Sequence, residues 1–257
     1  MNFDERQPIL SFRDLRKSAR ILDVLTVAYF PIYGLSQRDF FRMYPTLAYM
    51  EALVYRADSH VEAWQAASSP SGTPPWEVMK REMLEFAAAQ GLESGLLHRY
   101  IHEQARYYES ETAFLRQSEP TEEGLMTAQA LRPSDLRIQH SLLLELSGRE
   151  GNPDVFAALA PMEVWAEIND DLGSYEADIE RDHFNTLRTL TAIHGAAAAD
   201  VVTGILKTCE REFFHQLRKL PATTQTVITE SLAAFHQHIP PTAVPQPVLE
   251  ASATSEV

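Results

Sequence analysis

The stretch from residue 162 to residue 182, MEVWAEINDDLGSYEADIERD, carries oxygen-bearing side chains at a regular spacing. Asp170, Ser174 and Asp178 follow one another at intervals of four residues, so on an α-helix they lie on one face, one turn apart. Carboxylate and hydroxyl oxygens suit a hard divalent cation such as Mg²⁺. The spacing therefore predicts a helix that offers three oxygen ligands to one magnesium ion.

A simpler interpretation is that this face of the helix only contacts water, as runs of charge usually do. The apolar side chains form a separate stripe, which consists of Trp165, Ile168, Leu172, Tyr175 and Ile179. Asp170 and Asp171 are adjacent without a lysine one turn away, whereas a solvated face normally intersperses basic residues. Gly173 costs a helix interior about 1 kcal/mol relative to alanine, which indicates that another group approaches closely there.

The segment DDLGSYEAD at residues 170–178 resembles the second metal-binding motif of class I terpene synthases, Asn/Asp-Asp-Leu-x-Ser-x-x-x-Glu. Its flanks, Met162-Glu163-x-Trp165 and Glu180-Arg181-Asp182, are most similar to the fungal trichodiene synthase-like branch. The resemblance implies an all-α, single-domain helical bundle around a central cavity. It also implies that Asp170, Ser174 and Asp178 bind magnesium, in a cluster of three ions.

The function implied by the resemblance is a Mg²⁺-dependent cyclase. Such an enzyme ionises a prenyl diphosphate, here farnesyl diphosphate, cyclises the carbocation to a sesquiterpene and releases diphosphate. A homodimer is common in the family, although nothing in the sequence indicates an interface.

A second pair of acidic residues precedes the central motif by about 110 residues. Asp58 and Glu62 are spaced i, i+4, so both can face one metal cluster from a single helix. On their own they would be ordinary surface residues. By resemblance they correspond to the family's aspartate-rich motif in a degenerate form, because Ser59 replaces its second aspartate.

The segment Arg132-Pro133-Ser134-Asp135-Leu136 interrupts a helical pattern. By resemblance, Arg132 is the residue that senses the diphosphate, and Asp135 is its linker. Leu136 stands where the family usually has Gly or Ser, the small residue whose carbonyl points into the cavity. The alternative is that Arg132 ends a helix and caps its carbonyl groups.

Two features of the family are missing from this sequence. Ala177 occupies the position of a lysine just before the terminal acidic residue, and no Arg-Tyr pair follows the central helix. Arg181 or Arg188 could supply the missing positive charge. Aromatic faces stabilise carbocations through their quadrupoles, and the aromatic residues that we expect in the cavity wall are Tyr55, Phe86, Phe114 and Trp165. Packing between helices is the alternative role for such residues, and the stronger one for Trp165.

The elements that must position these residues are helices, because apolar residues recur at helical spacing almost throughout the chain. The expected helices are 11–29, 36–66 with a kink or boundary at Pro45, 76–90, 96–117, 121–131, 134–146, 162–193, 198–220 and 223–238, with a short turn at 155–160. Residues 1–238 form the predicted domain. Residues 239–257 are rich in Pro, Ala and Ser and form a predicted disordered tail.

Composition excludes several other classes of function. The net charge of −14 argues against nucleic acid as a partner, because phosphate backbones require clustered basic residues. Cys209 is the only cysteine, so no intrachain disulfide can form, and the charged N-terminus lacks an apolar signal. No apolar run approaches the roughly 18 residues of a membrane span. We therefore expect a cytoplasmic protein.

Two other hypotheses remain open at this point. One is a protein of the terpene synthase fold that binds an isoprenoid, or catalyses another step on a terpenoid, without ionising a diphosphate. The degenerate Asp58 motif, Ala177 and the missing Arg-Tyr pair favour it. The other is a helical interaction protein, for which a closed bundle without an apolar cavity would be typical.

Overall fold

The protein is described here by a computed structural model that covers residues 10–67, 70–116 and 120–249. Within these ranges it is all-helical and contains no β-strand, so the predicted all-α, single-domain fold class is confirmed. The α-helices are α1 (Phe12–Ala28), α2 (Gln37–Ala66), α3 (Pro75–Ala89), α4 (Gly95–Leu115), α5 (Glu122–Leu131), α6 (Ser134–Ser147), α7 (Pro153–Arg181), α8 (Thr186–His194), α9 (Ala198–Leu217) and α10 (Ala222–His238). Two 3₁₀ turns, Pro31–Tyr33 and Gly195–Ala197, lie between helices.

Side-chain caps determine where several of these helices begin. Ser11 and Asp14 form a capping box at α1, in which the Asp14 N–H donates to Ser11 Oγ at 3.2 Å and the Ser11 N–H donates to Asp14 Oδ2 at 3.0 Å. Ser36 and Asp39 repeat the arrangement at α2. The long helix α2 then continues through Pro45 without a boundary.

Helix α7 is the central element, and its observed limits correct the prediction of a helix over 162–193. It begins at the Asn152 cap, continues through Pro161 and ends at Asp182 in the left-handed region (φ 56°). The residues 155–160, predicted as a short turn, belong to this helix. A proline inside a helix is therefore a poor boundary signal here, whereas a polar residue followed by proline at the first helical position marks the true start.

Among the described residues, three hydrophobic clusters form the core, and α7 contributes buried residues to two of them. The N-terminal half of α7, including Met162 and Trp165, packs with α9 and α10. Its C-terminal half, including Ile168, Leu172 and Tyr175, packs with α8 and α9. The third cluster joins α1, α2, α3, α4 and α6. The acidic face of α7 is consequently the side that these two α7 clusters leave uncovered.

The segment after α10 corrects the prediction of a disordered tail for residues 239–249. It runs in an irregular conformation along α7, where Asn169 donates from Nδ2 to the Pro240 carbonyl at 3.3 Å and accepts from the Thr242 N–H at 2.7 Å. The Val248 N–H donates to the Tyr175 hydroxyl at 2.9 Å. A proline-rich composition predicts disorder, but proline lacks only the backbone N–H, which an irregular segment without a regular hydrogen-bond ladder does not need. Residues 250–257 lie outside the described part of the chain.

The close approach expected at Gly173 is not observed, although the C-terminal segment passes next to this residue. A Cβ atom at position 173 would lie 3.8 Å from Thr242 Oγ1, which is an ordinary van der Waals distance.

The stretch Thr186–Leu217 is long and apolar enough to cross a membrane by length and composition. Gly195, with φ 58°, divides this stretch into α8 and α9, and both helices pack on α7. Since core helices of soluble proteins also meet this criterion, the expected absence of a membrane span stays a prediction.

Candidate functional site

The predicted metal-binding face of α7 brings two of its three residues into direct contact. Ser174 Oγ donates to Asp178 Oδ2 at 2.5 Å. Asn185 Nδ2 donates to the same oxygen at 2.9 Å, and Asn185 also caps the N-terminus of α8. Asp170 lies one turn earlier with its side chain exposed. The face therefore presents an exposed carboxylate next to a preformed hydroxyl–carboxylate pair.

The adjacent Asp171 has a different role from Asp170, and sequence reasoning did not assign it one. Its side chain is only 2% exposed and accepts from Arg132 Nη1 at 2.7 Å. The N–H and hydroxyl of Thr186 donate to the same oxygen at 2.9 and 2.5 Å. Asp171 thus ties α7 both to the N-terminus of α8 and to the break between α5 and α6. The adjacency of two aspartates and the cap-forming Asn185-Thr186 pair are the sequence signals that could have indicated this.

Arg132 reaches across to α7 instead of capping its own helix with its side chain. Its Nε lies 3.0 Å from Glu167 Oε2, and its guanidinium carbon lies 5.7 Å from the centroid of the Phe184 ring. The two carboxylates, foremost Asp171, hold the pKa of Arg132 above its ordinary value although burial opposes this. A guanidinium has five N–H donors, and these partners engage Nε and Nη1. Within the described residues, Nη2 makes no hydrogen bond to protein.

Carboxyl groups from α2, α6 and α7 influence one another across this region. Burial raises the pKa of Glu51 to about 8, and the charges of Asp58 and Glu167 add to the effect. Burial also raises the pKa of Glu167 to about 8, against the lowering effect of Arg132. The pKa of Asp135 is raised by burial and then by Glu51. Asp135 and Glu167 are half-buried, whereas Glu51 is fully buried, so this group of carboxyls extends from the interior to the solvent.

Asp58 belongs to the same region and is held by α4. The hydroxyl of Tyr108 donates to Asp58 Oδ1. Burial raises the pKa of Asp58 to about 7, and the hydrogen bond from Tyr108 acts in the opposite direction. Glu62 is exposed on the next turn of α2. The structure therefore brings Asp58 towards the predicted site and leaves Glu62 at its margin.

Helix α4 contributes a further carboxyl that the sequence did not indicate. Glu111 accepts from the Tyr107 hydroxyl at 2.9 Å and from Gln65 Nε2 at 3.1 Å. Burial raises the pKa of Glu111, and Arg132 lowers it. Glu111 and Tyr107 thereby complete the α4 side of what we call the polar region: Glu51, Tyr55, Asp58, Tyr107, Tyr108, Glu111, Arg132, Asp135, Glu167 and Asp171.

The donor atoms of the polar region fit a magnesium ion in chemical type, since they are carboxylate and hydroxyl oxygens. The Oε1 atom of Glu51 is buried without a hydrogen-bond partner, which is costly unless another group satisfies it. However, the described residues contain no group of three or more His, Cys, Asp or Glu side chains close enough to hold a metal ion. Ser174 and Asp178 would supply two ligands, and a third would have to move towards them.

The remaining predicted cations and Leu136 take different positions. Arg188 forms an ion pair with Asp182 and donates to the His183 carbonyl at 3.0 Å, so it is engaged locally. Arg181 is exposed in the last turn of α7. Leu136 is buried and lines an apolar cavity on the other side of α6.

Of the four predicted wall aromatics, only Tyr55 joins the polar region, where it is half-buried. Phe86 packs on Tyr49 with 4.5 Å between ring centroids, and Phe114 packs on Phe184 at 6.0 Å. Trp165 is buried against His236 in the α7–α10 cluster, at 5.1 Å. The packing alternative thus describes Phe86, Phe114 and Trp165 better than a place in a cavity wall.

The apolar cavity next to Leu136 lies between α1, α6, α7, α9 and α10. Its volume is about 50 Å³, which is small beside the roughly 150 Å³ of a cavity that holds a benzene molecule. In this conformation the cavity cannot take a C15 isoprenoid chain.

Comparisons of the chain with protein-family models, with curated proteins and with solved structures found no match. The polar region is therefore interpreted from its own residues.

Proposed function

We propose that this protein is a Mg²⁺-dependent class I terpene cyclase that acts on a prenyl diphosphate, with farnesyl diphosphate as the expected substrate. The observation that carries the proposal is the convergence of three separately predicted elements. These elements are far apart in sequence, yet Arg132 at the α5–α6 break contacts Glu167 and Asp171 of α7, and the charge of Asp58 on α2 contributes to the raised pKa of Asp135 in the same break.

Ser174, Asp178 and Asp170 would hold magnesium on α7, and Asp58 would hold it on α2. Bound there, Mg²⁺ would withdraw charge from the breaking C–O bond of the substrate. Arg132 would bind a phosphate oxygen through Nη2, while Glu167 and Asp171 fix the orientation of its guanidinium. Phosphate oxygens need such charged donors because the surrounding carboxyls would otherwise repel them.

The raised pKa values fit a region that exchanges protons for a cation. Burial raises the pKa of Asp58, a proposed ligand, to about 7, and it raises the pKa values of the neighbouring Glu51 and Glu167 to about 8. Metal binding requires deprotonated ligands and releases protons. Magnesium binding near neutral pH is therefore expected to be accompanied by proton release, and to weaken as the pH falls.

Two observations favour the alternative of an isoprenoid-binding protein that does not ionise a diphosphate. No group of three potential ligands is assembled among the described residues, and the apolar cavity near Leu136 is small. Under this alternative the carboxyls would stay protonated and act as hydrogen-bond donors to a neutral terpenoid.

Isothermal titration calorimetry with pyrophosphate distinguishes the two. The cyclase proposal predicts pyrophosphate binding that requires Mg²⁺ and that is lost in Asp178→Ala. Glu176→Ala is the matched control, since Glu176 is exposed in the same part of α7 and makes no hydrogen bond or ion pair to a described residue. Absence of pyrophosphate binding at millimolar Mg²⁺, or undiminished binding by Asp178→Ala, would contradict the proposal.

A further inference from the structure

Helix α1 carries a cluster of positive charge that the sequence reasoning did not use. Arg13, Arg16, Lys17 and Arg20 lie within two turns at spacings of three or four residues. The only acid among them, Asp14, is committed to the capping box with Ser11. Four cations in eight residues are unusual in a chain whose net charge is −14.

Lys17 is the member of this cluster that reaches the polar region. Its ammonium nitrogen lies 4.9 Å from the centroid of the Tyr55 ring on α2. Tyr55 lies one turn after Glu51 and one turn before Asp58, so these side chains share a face of α2. The three other cations of α1 are exposed, whereas Lys17 is half-buried.

Lys17 forms no direct ion pair with any residue that the structure describes. Within the described residues no carboxylate lies within ion-pair distance of Lys17, Arg13, Arg16 or Arg20. Asp58 follows Tyr55 by about one turn on the same face of α2, so the ammonium next to the Tyr55 ring lies on the side of α2 that carries this carboxyl. Lys17 and Arg132 therefore flank the polar region from α1 and from the α5–α6 break.

We infer that Lys17 is a diphosphate-binding residue of the site, and that it supplies a cation in place of the lysine that is missing at Ala177 and of the Arg-Tyr pair that is missing after α7. The inference rests on the proposed function. An ammonium group on a flexible stem can turn from the Tyr55 ring to a phosphate oxygen, and the aromatic ring then remains next to the charged pair. Arg13 and Arg16 extend the positive potential outward from Lys17, so that an approaching polyanion is attracted to this side of the region.

The experiment measures pyrophosphate binding in the presence of Mg²⁺ by calorimetry, for the wild type and for three variants. Lys17→Met keeps most of the aliphatic contact with Tyr55 and removes the charge, Lys17→Arg keeps a charge, and Arg20→Gln removes an exposed charge of the same helix. Loss of one charge-assisted contact corresponds to about tenfold weaker binding or more. We expect that loss for Lys17→Met, a smaller change for Lys17→Arg, and less than about threefold for Arg20→Gln, as for a screened exposed charge.

The outcomes are distinct. Wild-type affinity in a folded Lys17→Met protein would overturn the inference and leave the proposed function standing. Equal weakening by Lys17→Met and Arg20→Gln would also overturn it, because it would show a diffuse electrostatic effect and no specific contact. No Mg²⁺-dependent binding by the wild type would overturn the proposed function and this inference together.

A second readout separates binding from structure. With a prenyl diphosphate as substrate, Lys17→Met is expected to raise KM at least tenfold, whereas a purely structural role would lower the melting temperature without raising KM. Circular dichroism of each variant shows whether its fold is retained.

Discussion

Replacement of two adjacent aspartates on α7 is predicted to have different effects, one on stability and the other on function. Asp170 is exposed and is proposed to bind metal, whereas Asp171 is buried and holds Arg132 and Thr186. Asp171→Ala should therefore lower the melting temperature of the protein, whereas Asp170→Ala should impair metal binding without lowering the melting temperature.

The size of the effect follows from the contacts. Asp171 accepts three hydrogen bonds in a site with 2% exposure, and its removal leaves Arg132 with Glu167 as its only ion-pair partner in the described structure. Breaking a buried ion pair by removing one partner costs about 3–5 kcal/mol. For a protein of this size, each 1 kcal/mol shifts the melting temperature by roughly 2–4 °C. A fall of roughly 6–20 °C is expected for Asp171→Ala, and replacement of the exposed Asp170 is expected to stay within about 0.5 kcal/mol.

The assay is thermal unfolding followed by circular dichroism, with urea unfolding as an independent measure of the free energy. Asp171→Asn should fall between the two alanine variants, because the amide oxygen can still accept from Thr186 while the charge next to Arg132 is lost. If Asp170→Ala and Asp171→Ala have the same melting temperature, the different roles assigned to these two residues are wrong.

Three further predictions concern pH, the C-terminal segment and the hydroxyl of α7. Because the pKa values of Glu51 and Glu167 are raised to about 8, the folded protein binds more protons than the unfolded chain between about pH 4.5 and 8. Its free energy of unfolding should therefore fall by up to about 1.4 kcal/mol per pH unit per group as the pH rises through that window. A urea-unfolding free energy that stays constant from pH 5 to 8 in the absence of metal would contradict the buried positions of these carboxyls. Asn169→Ala removes the two hydrogen bonds that Asn169 makes to the C-terminal segment, so it should lower the free energy of unfolding by about 1–3 kcal/mol and speed proteolysis within residues 239–249. Unchanged cleavage would show that the segment is not held by Asn169. Ser174→Ala removes the hydroxyl that donates to Asp178 and should weaken Mg²⁺-dependent pyrophosphate binding by at least about tenfold, whereas equal affinity would remove Ser174 from the proposed metal site.

The sequence predicts the helices well because their apolar periodicity and their caps are local. Ser11 with Asp14 and Ser36 with Asp39 are visible as capping boxes, and α1 and α2 begin within a residue of the expected positions. The central helix was misplaced at both ends. The predicted start is too late because Pro161, which reads as a boundary, lies inside the helix. The predicted end is too late because Asp182 adopts a left-handed backbone conformation, which is uncommon for a residue other than glycine.

The candidate site was predictable in part. The spacing of Asp170, Ser174 and Asp178 indicated a shared face, and the contact of Ser174 with Asp178 is consistent with it. The partners of that face were not predictable from spacing, because Asn185, Thr186 and Tyr108 come from turns and helices whose relative positions depend on tertiary packing. For the same reason, the position of Lys17 next to Tyr55 of α2 was not predictable from the spacing of residues.

The C-terminal segment illustrates the limit of composition as a guide. Its prolines and small residues are typical of disorder, yet a single asparagine on α7 pairs with its backbone through both amide atoms. The conformation of this segment depends on partner residues elsewhere in the chain, Asn169 and Tyr175, which composition cannot show.

The central claim is that the polar region ionises a prenyl diphosphate with the help of Mg²⁺. The most direct measurement is incubation of the purified protein with C10, C15 and C20 prenyl diphosphates, with Mg²⁺ or with a chelator, followed by gas chromatography of the extract. We predict a cyclic hydrocarbon or alcohol from the C15 substrate that requires Mg²⁺ and that disappears in Asp178→Ala. If folded wild-type protein forms no such product from any of the three substrates at millimolar Mg²⁺, the claim is contradicted.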